Sequence, residues 1–228
     1  MRIALTAGHY IGTSGKRCIK SLDKNETREW VLNNRICEKI EDKLKAYEGY
    51  SLIRTDDRSG KTDVSLKDRV TKANNFGADI YISIHHNAGI NGGVGGGVMA
   101  YVSLNASKTA QEWQKALYDA IVAHTDLKGN RATPCASASL YECRETKMPS
   151  VLLECGFMDS KTDVPIILTD AFADKVATAI VEVIAARGNL PKKAQKYHRV
   201  QVGAFLDRQR AERMRDELKS KGYDAIIV

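Results

Sequence analysis

Asp79-Ile80-Tyr81-Ile82-Ser83-Ile84-His85-His86-Asn87-Ala88 is the stretch whose reading decides the fold. Its apolar run is too short for an independent helix and rich in β-branched residues. Asn74-Asn75 precedes it and a glycine-rich segment follows, so it reads as a buried central strand. Successive strand side chains point to opposite faces, so His85 and His86 cannot both aim at one point while the strand stays regular. One of the pair is a candidate metal ligand and the other is structural. From this stretch alone, two hydrogen-bonded surface histidines are the competing reading.

Upstream, Arg2 to Ala7 reads as a first core strand ending at Gly8-His9, and the polar segment from Tyr10 to Asn25 as a surface loop. From Glu26 onward Leu32, Ile36, Ile40 and Leu44 recur every four residues, with Glu26 and Glu29 in the first turn. That predicts a helix to about Tyr47, stopped by Gly49. Tyr50 to Arg54 is a short strand, and Ser65 caps a helix carrying Leu66, Val70 and Ala73 that ends near Gly77. Downstream, Gly89 to Gly97 holds six glycines in nine positions. It lacks the Gly-Lys-Ser/Thr ending of a phosphate-binding loop and reads as flexible.

Val98 to Val102 is another strand, Ser107 opens a long helix through Trp113 and Ile121, and Asp126 to Ala138 reads as loop. Val151 to Phe157 is an apolar strand interrupted by Glu154, an uncomfortable place for a charge without a partner. A last long helix spans Asp170 to Arg187. Strands alternating with amphipathic helices predict an α/β domain, a three-layer sandwich whose twisted mixed sheet is covered by helices on both faces. The domains expected are residues 1–187, a basic linker over 188–196, and a small βαβ fragment over 197–228, with strands at Tyr197–Phe205 and Tyr223–Val228 about a helix at Arg208–Lys221.

A chain of 228 residues can bury one sizeable core. No run approaches the roughly 18 apolar residues of a membrane span, so membrane insertion is not expected. Five cysteines at scattered spacings predict reduced thiols rather than a disulfide framework. The net charge of +7 implies attraction to polyanions, either nucleic acid or an anionic cell wall. With aromatics at 7% and no aromatic-studded basic stretch, nucleic acid is not expected as a partner.

Potential ligands gather where elements end: His9 after the first strand, Glu26 or Glu29 at the first helix, and His85 at the end of the central strand. Two imidazoles and a carboxylate are a normal catalytic zinc set with a fourth position open to water. Glu154 can face the same point, because ligands of open α/β sheets collect at the strand ends.

Over roughly Met1 to Arg187 the chain resembles the zinc-dependent N-acetylmuramoyl-L-alanine amidases of the third amidase family, found in bacterial autolysins and phage endolysins. The likeness is carried by Ala7-Gly8-His9, Asn25 to Glu29, Arg54-Thr55-Asp56-Asp57-Arg58, Val64-Ser65-Leu66, Arg69-Val70, Ser83 to Ala88, and Met148-Pro149 leading to Leu153-Glu154-Cys155-Gly156-Phe157-Met158. Where members usually have Asp-Pro-Gly-His-Gly this chain has Thr-Ala-Gly-His-Tyr, and His86 stands where a small residue is common.

The resemblance implies one zinc ion held by His9, Glu29 and His85, with Glu154 as the catalytic carboxylate. Glu29 is preferred to Glu26 because Asn33, Ile36, Ile40 and Leu44 then fall at the family's helical phase. It implies hydrolysis of the amide between N-acetylmuramic acid and L-alanine of peptidoglycan. A zinc peptidase cutting within the stem peptide, or a non-catalytic wall-binding protein, is the alternative. The C-terminal residues resemble the opening half of a SPOR module through Val200 to Phe205 and Gly222 to Ala225. A half module could pair with a second copy, so a homodimer is among the expectations. The N-terminal apolar stretch is too short for a signal peptide, which predicts synthesis in the cytoplasm and action on the wall after release or lysis.

Overall fold

A computed structural model of the chain describes residues 1–194 and 201–227. They fall into two units, Met1–Lys193 and Ala194–Val228. In the first, the strands are β1 (Arg2–Ala7), β2 (Ser51–Arg54), β3 (Ile80–Asn87), β4 (Val98–Val102), β5 (Cys135–Ser137) and β6 (Ser150–Phe157). The helices are α1 (Glu29–Leu44), α2 (Leu66–Phe76), α3 (Lys108–Thr125), α4 (Tyr141–Glu145), α5 (Val164–Ile167) and α6 (Asp170–Arg187). The second unit holds α7 (Arg208–Ser220).

The strands form one six-stranded sheet in the order β2-β1-β3-β6-β4-β5. It is mixed, because β4 runs antiparallel to β6 while the other pairings are parallel. The period of two sorts its side chains. Ile3, Leu5, Ile80, Ile82 and Ile84 join the large cluster under α1, α3 and α6, whereas Ala4 and Tyr81 join a small one with Ala73 of α2. Each fully buried Ile or Leu contributes about 1.5–3 kcal/mol relative to exposure, so the α1/α3/α6 face supplies most of the cohesion. The expected three-layer α/β architecture is the one observed.

The topology also places the site. After β1 the chain crosses to β2 on one side, and after β2 it crosses back to β3 on the other side of β1. The connections from β1 and β2 therefore leave on opposite faces and open a crevice at the carboxyl ends of β1 and β3. His9 and His85 stand there.

Two helix starts follow the residues predicted to open them, Ser65 and Ser107, and Thr169 caps a third. Ser65, Ser107 and Thr169 each accept a hydrogen bond from the backbone three residues on. Helix α1 begins at Glu29 rather than Glu26, because Asp23 binds the N–H groups of Asn25 and Thr27 and turns the chain, leaving Glu26 at φ 49°. At the far end of β2, buried Arg54 holds Asp56 with two bonds of 2.6 and 2.8 Å and Asn34 of α1 at 2.7 Å.

Three expectations need correction. The segment read as loop from Asp126 to Ala138 contains β5, a three-residue edge strand paired in parallel with β4; it is too short to show a period. The basic linker is docked as far as Lys193: Pro191 accepts from Glu48 N–H at 2.9 Å, and Lys193 N–H bonds Ala46 at 2.8 Å. The C-terminal strands are not formed among the described residues. Residues 201–205 and 223–227 have no ladder partner, and α7 buries none of its residues, since the fragment offers no sheet for them to join. The first part of the strand expected at Tyr197–Phe205 lies outside the described residues. No described helix is long and apolar enough to cross a membrane.

Candidate metal centre

Donor atoms of His9, Glu29 and His85 all lie within 4.8 Å of one another. Glu29, the first residue of α1, is 1% exposed and sits between the two rings. One of its oxygens is 3.1 Å from His85 Nδ1 and the other 3.3 Å from His9 Nε2. The rings meet edge to face, their centroids 5.0 Å apart. Lys16 Nζ lies 3.8 Å from the same carboxylate.

Each member is held by backbone features. His9 has φ 66°, a left-handed conformation costly for a residue with a Cβ. Buried Arg69 maintains it by donating to His9 and Ala7 carbonyls at 2.7 Å each, to Thr6 Oγ1 at 3.0 Å and to Val64 O at 2.9 Å. Gly8 is required by packing, since a Cβ there would overlap the His85 imidazole. Gly8→Ala is therefore expected to displace His85 and weaken metal binding at least ~10-fold with little loss of fold, as checked by chelator competition and circular dichroism.

His86 points to the opposite face. Asn33 donates from Nδ2 to Gly8 O at 3.1 Å, so its Oδ1 faces His86 Nδ1 at 2.8 Å and that nitrogen must carry the hydrogen. Burial pushes the His86 imidazole down to about 3, which keeps it neutral. His85 behaves oppositely: burial acts to lower it, but Glu142 and Glu29 raise it to about 10. For Glu29, burial acts upward and is outweighed by the His85 and His9 imidazoles beside it, so the carboxylate stays ionised. In adjacent parallel strands Glu154 is the register partner of His85 and shares its face of the sheet. Burial pushes Glu154 up to about 7, with His85 opposing and Glu29 reinforcing.

This donor set fits a zinc ion. It offers two neutral-capable imidazoles and one ionised carboxylate. Three buried polar atoms around it, Glu29 Oε2, His85 Nε2 and Glu154 Oε2, have no hydrogen-bond partner among the described residues. A cleft of about 270 Å³ opens beside it, lined by His9, His85, Arg69, Glu142 and the Asp63–Leu66 segment. A larger hollow of about 500 Å³ by Glu41, Lys45 and Arg58 has no such convergence of donors.

Residues 3–186 match the family model described as N-acetylmuramoyl-L-alanine amidase. The chain belongs to that amidase family. It is 31% identical over 185 residues to N-acetylmuramoyl-L-alanine amidase CwlM of Bacillus licheniformis, covering 81% of this chain and 70% of that one. Identity to the sporulation-specific N-acetylmuramoyl-L-alanine amidase of Bacillus subtilis is 30%, over 80% of this chain and 68% of the relative. The crystal structure of N-acetylmuramoyl-L-alanine amidase from Clostridium difficile 630 superposes with a TM-score of 0.73 at 26% identity, covering 82% of this chain and 96% of that one. The amidase is thus an enzyme acting on peptidoglycan. Residues 170–228 match the SPOR domain, a range that begins inside α6 of the first unit.

Of the residues read from the amidase's sequence, His9, Glu29, His85 and Glu154 come together. Glu26 does not; it pairs with Arg17 at 3.2 Å. Sequence reasoning missed three residues. Arg69 and Asn33 were visible only as motif members without a task, and Glu142, on a five-residue helix, showed no periodic signal at all.

Proposed function

We propose that the enzyme is a zinc-dependent amidase in which His9, Glu29 and His85 hold one zinc ion and Glu154 is the catalytic carboxylate. The observation that supports this best is the convergence of the three donors beside an otherwise unpartnered Glu154. When bound, zinc supplies Lewis-acid chemistry that polarises the amide carbonyl and brings the pKa of water from about 15.7 to about 7, equivalent to roughly 12 kcal/mol.

The chain's residues do the rest. Glu154 takes a proton from the attacking water as the new carbon–oxygen bond forms. It delivers that proton to the alanine nitrogen as the carbon–nitrogen bond breaks, which leaves the lactyl carboxylate and a free amine. General-base help of this kind contributes about 10²–10⁴-fold. A carboxyl poised near 7 is suited to both directions of transfer. Arg69 and Gly8 keep His9 and His85 in place, and the cleft beside them receives the chain of the substrate.

The bond assignment separates this reading from a zinc peptidase. Digestion of purified walls is expected to release free lactyl ends of muramic acid, detected by mass spectrometry, and to stop on addition of chelator. New termini within the stem peptide would reject it. His85→Ala is expected to lose both zinc and activity, measured by metal content after dialysis and by wall turbidity. Peptidoglycan is the partner that the amidase and SPOR matches support; a homodimer has no such support and forms no part of this reading.

A further inference from the structure

Glu142 of α4 lines the cleft beside His9 and His85, yet hydrolysis as proposed gives it no task. It is 4% exposed, and burying a carboxylate so deeply is unfavourable unless partners compensate. Those partners come from one face of β3. Tyr81 Oη donates to Glu142 Oε1, Ser83 Oγ donates to Oε2 at 3.4 Å, and His85 Nε2 stands 3.9 Å from that same Oε2. Residues 81, 83 and 85 alternate along the strand, so the period of two aims all three at one carboxylate.

The carboxylate's position is fixed from behind. The Glu142 carbonyl accepts from Thr146 Oγ1 at 2.7 Å and Ser150 Oγ at 3.5 Å. Asn74 of α2 grips the end of the short helix through Glu145 O at 3.2 Å and Lys147 N at 2.9 Å.

An imidazole has two nitrogens, and those of His85 face different carboxylates. Nδ1 looks toward Glu29 and the donor cluster, at 3.1 Å. Nε2 is buried, has no hydrogen-bond partner among the described residues, and looks toward Glu142. An approach of under about 1 Å would bring that pair to bonding distance. We infer that Glu142 is a positioning residue for His85, accepting its Nε2–H and so fixing the tautomer and ring angle that leave Nδ1 free for the metal. This rests on the reading of His85 as a zinc ligand. Both Glu142 oxygens are turned to Tyr81, Ser83 and His85 of β3.

The test uses the full chain and Zn2+ alone. Affinities from chelator competition are compared for wild type, Glu142→Gln, Glu142→Leu and Tyr81→Phe, and 15N NMR at saturating Zn2+ reads which His85 nitrogen keeps its hydrogen. Loss of a carboxylate behind a metal-bound histidine lowers affinity about 10–100-fold. Glu142→Leu is expected in that range with the hydrogen split between the two nitrogens, Glu142→Gln at about 10-fold, and Tyr81→Phe, which disturbs the same buried network but leaves the carboxylate facing His85, near wild type. Should Glu142→Leu fail to fold, Glu142→Gln decides: affinity equal to wild type overturns the inference. An equal loss in Tyr81→Phe also overturns it, in favour of a purely structural role. A wild-type protein that binds no Zn2+ would overturn the zinc reading itself, and this inference with it.

Discussion

Glu154→Ala is expected to bind zinc as wild type does and to hydrolyse purified peptidoglycan about 10²–10⁴-fold more slowly. The Glu154 side chain holds nothing in place: its Oε2 has no partner among the described residues, and the pairing of its strand is by backbone, which alanine keeps. Its removal should therefore show in kcat and leave metal content unchanged. The pH dependence follows from the carboxyl being pushed up to about 7 from an ordinary 4.5. The base form is needed, so kcat/KM rises with pH, and because a bound dication can only favour the carboxylate, the acidic limb lies at or below about 7. Stability has the opposite sign. A raised folded-state value means that the contribution of Glu154 is fully present below about 4.5 and is lost as pH climbs through about 7. Metal-free wild type should lose about 2–4 kcal/mol over that window relative to Glu154→Ala. Chemical denaturation of both proteins at pH 4.5 and pH 8 measures the difference, and wild-type hydrolysis rates in the variant would reject the catalytic role.

Arg69→Met should be the most damaging change outside the donor set. The guanidinium is 2% exposed and satisfies three backbone carbonyls and one hydroxyl. A methionine fills the volume but leaves those acceptors buried and unpaired, at about 1–3 kcal/mol each with partial relaxation. A total of about 3–5 kcal/mol is the expected loss. At about 2–4 °C per kcal/mol for a domain of this size, that lowers the melting temperature by roughly 6–20 °C. A second effect distinguishes this from general weakening. Two of the acceptors are the carbonyls of Ala7 and His9, so the left-handed turn at His9 relaxes and zinc affinity falls even where the variant is fully folded. Thermal unfolding with zinc and with chelator reads both: the stabilisation by zinc should shrink in the variant. An undiminished zinc stabilisation would show that Arg69 serves the fold alone.

Much of this was legible in the chain because the signals are local. The run Ile80 to Ile84 bounded by turn residues reads as a strand from its own composition, and Ser65 and Ser107 mark helix starts by the chemistry of their own side chains. The opposed directions of His85 and His86 follow from the pleat. The choice between Glu26 and Glu29 was a different matter. Both are acids at the start of a helix, and what separates them is the turn built by Asp23, which sends Glu26 toward Arg17.

The sequence by itself determined the alternation of strands and helices, the positions of the donor residues at element ends, and the family resemblance those motifs carry, because each depends on residues within a turn or two of one another. Only the tertiary structure decided which donors share a point, that Arg69 braces His9, and that Glu142 stands behind His85. Arg69 stands 60 residues from His9, Glu29 56 from His85 and Glu142 61 from Tyr81, joined through sheet register and crossover direction, and a buried polar residue shows its purpose only when the partner that compensates its burial lies beside it.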